Sequence, residues 1–417
     1  MKDLFYGYDS RNVYLDNAAS TLCLKSVKDK ADKFLLTYGS VHRGYGENSL
    51  KSTNSYESAR DFILEKLNGD KNKHTLVFTA NTTDSINKLT HLFNWEKDDV
   101  VLVSDIEHSS NYLPYIKSAK VETIKARNFI IRPDDVERAI LENKNVRCVS
   151  LAAASNITGY VIDIKKIYEI CKKHSVLFLL DASQYAPHFK LNINDCDVLF
   201  YCGHKMYAPF GSGILAGRKD ILESYTDISF TGGGNILYAN KDKIIYKEAP
   251  YLHEIGTPNA VGAVTIAEAH RVLYDDIGIE TLERHNKALV KEIDKSRARL
   301  MNYGYNVYFN DDCDTSLRTP ILVIDNTRMS NKQTCEFLND DRLATGFDFN
   351  VFVREGAFCV YKILESIKPE LINQEPIING ELNPDYSLIR LSAGLINDRL
   401  DIERAVDKLC YINDVFS

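Results

Sequence analysis

At 417 residues, with 44% hydrophobic and 26% charged side chains, the chain is long enough for two domains sharing an interface and has the composition of an ordinary globular protein. Its 51 Lys and Arg against 58 Asp and Glu give a net charge of −7 with no strongly basic block, which argues against a nucleic-acid or membrane-surface partner. No apolar run reaches the ~18 residues of a membrane span, and the N-terminus, MKDLFYGYDSRNVYLDNAAS, carries no apolar signal region, so a cytoplasmic location is the expectation.

Taken in chain order, residues 76 to 217 alternate short β-branched runs with helical stretches. Strands are predicted at TLVF (75–78), VVLVS (100–104), VRCVSLA (146–152), VLFLLD (176–181) and DVLFY (197–201). Helices are predicted for TTDSINKLTHLF from Thr82, RPDDVERAILENK from Arg132 and DIKKIYEICKKH from Asp163, the last with Ile164, Ile167, Tyr168 and Cys171 on one face. Alternating βα units with short connections predict a mainly parallel sheet covered by helices on both faces. Ligands of such sheets bind at the carboxyl ends of the strands. Beyond residue 258 the texture changes. Long helical patterns fill 259–303, and a second α/β region follows with a strand at TPILVID (319–325) and a helix at SNKQTCEFLND (330–340). The chain closes on a helix near DRLDIERAVDKLCYI. Residues 366–388, broken by Pro369, Pro376, Gly380 and Pro384, read as an irregular loop. The predicted architecture is α/β: a large domain over 15–262 and a smaller C-terminal α/β domain over 263–417 that also takes in 1–14.

The nine cysteines, Cys23, Cys148, Cys171, Cys196, Cys202, Cys313, Cys335, Cys359 and Cys410, are scattered, odd in number and never spaced as CxxC. In a chain of this length that pattern disfavours a disulfide framework or a structural zinc site, and no metal is expected. Most of these thiols are read as buried and inert, with one left as a candidate for catalysis.

The pair most informative about chemistry is LLDAS (179–183) followed by YCGHKMYAPFGSG (201–213). Asp181 ends an apolar strand, and Lys205 follows the next one in a Gly-rich turn. An amine and a carboxylate so placed suit pyridoxal 5′-phosphate (PLP): the amine holds the aldehyde, and the acid keeps the pyridine nitrogen protonated so that the ring accepts electrons. Either residue alone reads more readily as a surface lysine or a helix cap; together, after consecutive strands, they nominate an active site. Thr82 and Thr83 begin a predicted helix, where backbone N–H groups and hydroxyls meet a phosphate.

CGHKMYAPFGSG (202–213) resembles the lysine signature SGHK-x-x-G-P-x-G-x-G of the class V aminotransferase-like family, best known for cysteine desulfurases and selenocysteine lyases, and departs from it at Cys202 and Ala208. The resemblance runs nearly end to end. YLDNAAS (14–20) resembles the family's N-terminal motif; SVHRGYG (40–46) and TNSYESAR (53–60) are similar to the N-V-H-R-G and Y-E-x-A-R stretches of its desulfurase branch. FTANTTDSIN (78–87) resembles the phosphate-binding strand–loop–helix. DIEHSSNYLPY (105–115) is similar to the segment whose histidine stacks on the pyridine face, which implies that role for His108. SNITGY (155–160) resembles the turn whose Asn reaches the cofactor's ring hydroxyl, implying Asn156, and Gln184 takes a position that contacts the same hydroxyl. The resemblance puts Cys202 and His204 beside the phosphate. EIGTPNAVG (254–262) resembles a turn whose Thr reaches the phosphate of the neighbouring subunit; Thr257 inherits that role, and a homodimer is implied. TGGGNI (231–236) is similar to a Gly-rich loop bordering the partner's site.

VREGAFC (353–359) resembles V-R-x-G-x-x-C, which implies Arg354 as the carboxylate anchor, its guanidinium fork matching a carboxylate, and Cys359 as a sulfur acceptor. RLSAGLIND (390–398) resembles a later R-x-S segment and adds Arg390. Ala357-Phe358 stands where relatives often have a histidine, and VYK follows the cysteine. The resemblance implies a fold-type-I, aspartate-aminotransferase-like PLP enzyme with a seven-stranded type of large-domain sheet. The implied reaction converts L-cysteine to L-alanine, with Lys205 as the base and sulfur passing to Cys359 as a persulfide, then to an acceptor protein such as an iron–sulfur cluster scaffold. Two other readings stay open: another class V PLP reaction (selenocysteine lyase, C–S lyase, aminotransferase or epimerase), and a catalytically silent relative that only binds partners.

Overall fold

The computed structural model describes residues 1–224, 230–309, 318–340 and 346–416. Its central sheet is built from β1 (His74–Thr79), β2 (Val100–Ser104), β3 (Lys120–Ile124), β4 (Val146–Ala152), β5 (Leu177–Asp181), β6 (Val198–Cys202) and β7 (Gly213–Arg218), in the order β1-β7-β6-β5-β4-β2-β3. Only β7 runs against its neighbours β1 and β6; the other pairs are parallel. The mainly parallel sheet is therefore as expected. Periodicity did not mark β3 and β7. β3, KVETI, is a largely solvent-facing edge strand, and β7, GILAGR, is interrupted by Gly213 and Gly217.

Side chains alternate along each strand. Leu76, Leu102, Val149, Leu151, Phe178, Leu180 and Tyr201 point into one core, while Val77, Val101, Val103, Cys148, Leu179 and Phe200 point into another. Because both faces are buried, the strands read as unbroken apolar runs rather than as alternating patterns. Burying each such side chain contributes roughly 1.5–3 kcal/mol relative to leaving it exposed.

Helices α1 (Lys25–Leu35), α2 (Glu47–Lys66), α3 (Thr82–Leu92), α4 (Pro133–Glu142), α5 (Ile164–Lys173) and α6 (Ala260–Arg271) surround this sheet. α1 and α2 pack on α6; α3 lies over β6 and β7; α4 and α5 pair with each other. No secondary structure was expected for residues 25–66 from periodicity, and α2 shows why. Its buried face holds Ser49, Ser52 and Arg60 beside Tyr56, Ala59 and Ile63, so no apolar stripe marks it.

α6 runs through a π-helical turn, Val272–Gly278, into α7 (Ile279–Asn302). A second sheet follows: β8 (Tyr305–Tyr308), β9 (Ile321–Asn326), β10 (Arg354–Gly356) and β11 (Leu388–Ser392), antiparallel in the order β8-β9-β11-β10. α8 (Asn331–Asn339) precedes β10, and α9 (Arg399–Val415) closes the chain. Leu322, Ile324, Ile389 and Leu391 pack against Leu289 and Ile293 of α7 and Val406 and Leu409 of α9. Ile321, Val323 and Leu388 face the other way, into the first core. Arg390, between Ile389 and Leu391, shares that second face. The N-terminal strand Asn12–Tyr14 pairs in parallel with Asn350–Phe352.

Between the helix Tyr361–Ile367 and β11, the stretch expected to be irregular is so apart from the 3-10 turn Pro369–Asn373 and the short hairpin Ile377–Ile378 with Glu381–Leu382. Cys148, Cys171, Cys196, Cys202 and Cys410 are buried, Cys23 and Cys335 half-buried, and Cys359 exposed, all as free thiols. Cys313 lies outside the described residues. Among the described residues no helix is long and apolar enough to cross a membrane.

Candidate active site

Five parallel strands deliver their carboxyl ends to one edge of the sheet. β1 ends at Thr79 and leads to Thr82 and Thr83; β2 ends at Ser104 and leads to His108; β4 ends at Ala152 and leads to Asn156. Asp181 and Cys202 are the last residues of β5 and β6, and Lys205 ends the 3-10 turn Gly203–Lys205. A cleft of ≈ 1090 Å³ opens there. It is lined by Thr82, Thr83, His108, Asn156, Asp181, Gln184, Cys202, His204, Lys205, Arg354, Cys359 and Arg390. Of the residues nominated from sequence, Thr257 stands elsewhere, exposed on the turn ahead of α6.

Asn81, not a threonine, caps α3: its side chain accepts the Asp84 N–H at 2.9 Å. Thr82 and Thr83 are the first helical residues, whose N–H groups have no acceptor within the helix. The Thr82 hydroxyl lies 2.9 Å from that of Ser183, and the Thr83 hydroxyl 2.8 Å from that of Ser110. The lysine loop is pressed against this terminus. A Cβ on Gly213 would fall 2.4 Å from Thr79 Oγ1 and 2.6 Å from the Asn81 carbonyl carbon, so only glycine fits. On its other side the loop is held by Asn259, whose Nδ2 donates to the Phe210 and Gly211 carbonyls, both at 2.7 Å.

Asp181 is buried, and its Oδ1 accepts the Ser183 N–H at 2.9 Å. Gln184 Nε2 donates to the Ala18 carbonyl at 2.7 Å. His108 Nδ1 accepts the Ser110 N–H at 3.1 Å, which puts the ring proton on Nε2 in the neutral tautomer. Burial, with the Lys205 charge adding to it, pulls the His108 pKa down to about 4, so the ring is neutral at physiological pH. Burial and Lys205 act the same way on His204, also to about 4. Burial pushes the Cys202 thiol up, with the Lys205 charge opposing. A helix terminus and hydroxyls for a phosphate, a carboxylate for a pyridine nitrogen, a neutral imidazole and an amine for an aldehyde form a donor set that fits PLP.

The opposite wall comes from the second sheet. Arg354 and Arg390 are direct cross-strand partners in β10 and β11. Arg390 is 2% exposed; its Nη1 donates to the Asn156 carbonyl at 2.9 Å, and its guanidinium lies 4.6 Å from the Phe358 ring centre. Burial lowers its pKa to about 10. Hydrogen bonding to Asp16 raises that of Arg354. Cys359 sits on a tight turn with positive φ at two successive residues, 53° at Phe358 and 57° at Cys359. Such backbone costs on the order of 1 kcal/mol or more per non-glycine residue. Three hydrogen bonds hold it: Asn156 Nδ2 to the Phe358 carbonyl at 2.9 Å, and the Ser109 N–H and hydroxyl to the Cys359 carbonyl at 2.9 and 2.8 Å. Asn156 thus gives an amide N–H to the cysteine turn, a use its motif did not suggest.

Sequence reasoning missed Asp16, Glu107, Ser109 and Phe358. Glu107 is buried, accepts from the Ser104 hydroxyl (2.6 Å), Asn111 Nδ2 (2.7 Å) and the Ala152 N–H (2.9 Å), and is pushed up to about 7 by burial. Asp16 and Glu107 lie inside YLDNAAS and DIEHSSNYLPY, and a carboxylate within a site motif was the available signal. Two further motifs meet in space. Arg60 of TNSYESAR pairs with Glu254 of EIGTPNAVG at 2.7 Å, and His42 of SVHRGYG lies 2.8 Å from Glu57.

A doubly wound sheet with a lysine turn at its carboxyl edge, faced by a smaller antiparallel sheet, is the aspartate-aminotransferase-like arrangement, fold type I. The chain belongs to the class V aminotransferases: the family model "Aminotransferase class-V" matches residues 13–404. A probable cysteine desulfurase of Borreliella burgdorferi is 30% identical over 296 residues, which span 67% of this chain and 69% of the relative. One from Aeropyrum pernix is 32% identical over 314 residues, 72% of this chain and 75% of the relative. Among solved structures, the Escherichia coli cysteine desulfurase CsdA superposes with a TM-score of 0.81 at 24% identity, covering 98% of this chain and 96% of that one. The apo cysteine desulfurase of Thermococcus onnurineus gives 0.80 at 24% identity, covering 94% and 92%.

Proposed function

We propose that this protein is a PLP-dependent cysteine desulfurase that converts L-cysteine to L-alanine and takes the sulfur onto Cys359. The observation that carries the reading is that Cys359, Arg354 and Arg390 open onto the same cleft as Lys205, Asp181 and His108. The relatives of Borreliella burgdorferi and Aeropyrum pernix, both probable cysteine desulfurases, point the same way.

Bound in the cleft, PLP supplies an electron sink for the carbanion at the substrate's α-carbon. Lys205 holds the cofactor through its amine, and Asp181 keeps a proton on the ring nitrogen. His108, neutral, covers the ring face. Thr82, Thr83, His204 and Cys202 take the phosphate at the start of α3, and Asn156 and Gln184 the ring hydroxyl. Arg354 and Arg390 hold the substrate carboxylate. Toward the bound amino acid, Lys205 Nζ would act as the general base that takes the α-proton. The Cys359 thiolate then attacks the substrate sulfur; the C–S bond breaks, the sulfur stays on Cys359 as a persulfide, and the remaining three-carbon fragment leaves as alanine after protonation. Thr257, exposed and away from its own cleft, serves the phosphate of a second copy in a homodimer. The domain division at 15–262 and 263–417, a cytoplasmic location and a downstream acceptor protein for the persulfide belong to the same reading.

The test is turnover of L-cysteine by the holoenzyme with a thiol reductant, following alanine and sulfide together, beside Cys359→Ala. Both products from the wild type and neither from the variant are expected. Turnover that survives Cys359→Ala, or a cofactor-loaded protein that yields no alanine, assigns the site to a different class V reaction.

A further inference from the structure

The arginine pair that faces the cleft is not alone. Arg354 and Arg390 stand directly opposite each other on antiparallel strands, where like charges repel. Asp16 lies between them. Its Oδ1 is 3.2 Å from Arg354 Nε and 3.4 Å from Arg390 Nη2; its Oδ2 is 3.1 Å from both Nε and Nη2 of Arg354. Backbone contacts fix Asp16 independently of this pairing: it bridges Ser392 of β11, and its carbonyl accepts the Ala19 N–H at 3.1 Å. Both arginines line the cleft, and Asp16 is not among the lining residues.

Two features show that Asp16 does not saturate the pair. Arg390 Nε is buried and meets no acceptor among the described residues. Arg354 is 51% exposed in its side chain and meets Asp16 through Nε and Nη2 only, which leaves Nη1 outside the pair. Two guanidiniums and one internal carboxylate sum to a single positive charge at the cleft wall, with donors to spare. One further carboxylate completes that arrangement. A second would enter without a counter-charge, next to the carboxylate of Asp16.

We propose that Asp16 is a specificity-determining residue: by cancelling one of the two arginine charges it restricts the subsite to amino acids with a single carboxylate and excludes the dicarboxylic ones. This rests on the reading of Arg354 and Arg390 as the carboxylate anchor.

The experiment measures dissociation constants of L-alanine and L-aspartate for the holoenzyme by titration calorimetry, in the wild type, Asp16→Asn, Arg354→Ala and the double variant. Asp16→Asn is expected to improve L-aspartate relative to L-alanine by about tenfold or more, a conservative effect for one unit charge a few ångströms away at an effective dielectric of about 20. Arg354→Ala, with no net charge left at the wall, is expected to lose L-alanine by about tenfold or more. The double variant restores the single charge and is expected to recover most of that loss. A ratio within about twofold of wild type in Asp16→Asn, while Arg354→Ala still loses L-alanine, overturns the role of Asp16 and leaves the anchor reading standing. Undiminished L-alanine binding by Arg354→Ala overturns the anchor reading and this proposal with it. Should Asp16→Asn fail to fold, the double variant decides: L-alanine binding no better than in Arg354→Ala rejects the proposal.

Discussion

Replacing Glu254 by Gln removes one charge from a buried ion pair, Arg60 with Glu254. Arg60 of α2 donates Nη1 and Nη2 to the Glu254 carboxylate at 2.7 and 2.9 Å, and Nη1 also to the Leu76 carbonyl at 2.6 Å. The same carboxylate accepts the Phe78 N–H at 2.8 Å and the Tyr56 hydroxyl at 2.9 Å. One side chain thus ties α2, the strand that leads to Thr82, and the turn that carries Thr257. The two partners are 7% and 4% exposed, so water offers either charge little help. Burial by itself disfavours the Arg60 charge; Glu254 more than offsets it, and the guanidinium is held above its ordinary value. Breaking a buried pair by removing one partner costs about 3–5 kcal/mol. Glu57, 3.1 Å from Arg60 Nε, remains as a half-shielded partner and places the expected loss near the lower figure, about 3 kcal/mol. In a chain of this length that lowers Tm by about 3–6 °C. The assay is thermal unfolding by far-UV circular dichroism of the wild type, Glu254→Gln, Arg60→Met and the double variant Arg60→Met/Glu254→Leu. Each single variant should melt several degrees lower, and the double should melt no lower than the worse single, because an apolar pair leaves no stranded charge. A Glu254→Gln protein melting within about 1 °C of wild type, or losses that simply add in the double variant, would refute the reasoning.

Glu107 gives a pH-dependent counterpart. Its folded pKa is raised, so its contribution to stability is fully present below its ordinary 4.5 and is lost as pH rises through about 7, a total of about 3 kcal/mol at about 1.36 kcal/mol per pH unit. Glu107→Gln keeps the shape, can present its amide N–H to Ser104 Oγ, and does not titrate; its Tm relative to wild type should rise between pH 5 and pH 8, and a constant difference would show that Glu107 is not buried against its charge. Ser109→Ala removes a hydroxyl bond from the Cys359 turn worth about 0.5–1.5 kcal/mol, so alkylation of Cys359 by iodoacetamide, followed by peptide mass spectrometry, should run about two- to tenfold faster. An unchanged rate would show that the turn holds its positive φ angles without that bond.

The central strands, the helices from Thr82, Arg132 and Asp163, and the terminal helix were legible because each buries a face its own residues pay for in apolar surface, and that periodicity is local. The Asp181 and Lys205 pair was legible for a related reason: Asp181 closes one apolar strand and Lys205 lies in the turn just after the next, parallel one, so a short stretch of sequence already implies that they share an edge. α2 was not, since its inward face is built on Arg60, Ser49 and Ser52, whose burial makes sense only with Glu254 in place, 194 residues further on. The strand β3 was hidden by its polar, exposed face and β7 by its glycines.

What the sequence by itself determined is the set of chemical groups and the segments that carry them. Tertiary structure alone decided which of those groups meet. Asp16 reaches Arg390 across 374 residues, and Ser109 reaches Cys359 across 250. Both contacts exist because the second sheet is laid against the carboxyl edge of the first, with Arg390 on the face turned toward it. Nothing in the periodicity of either segment encodes that placement, since a strand's alternation says which residues share a face and leaves open what the face will meet.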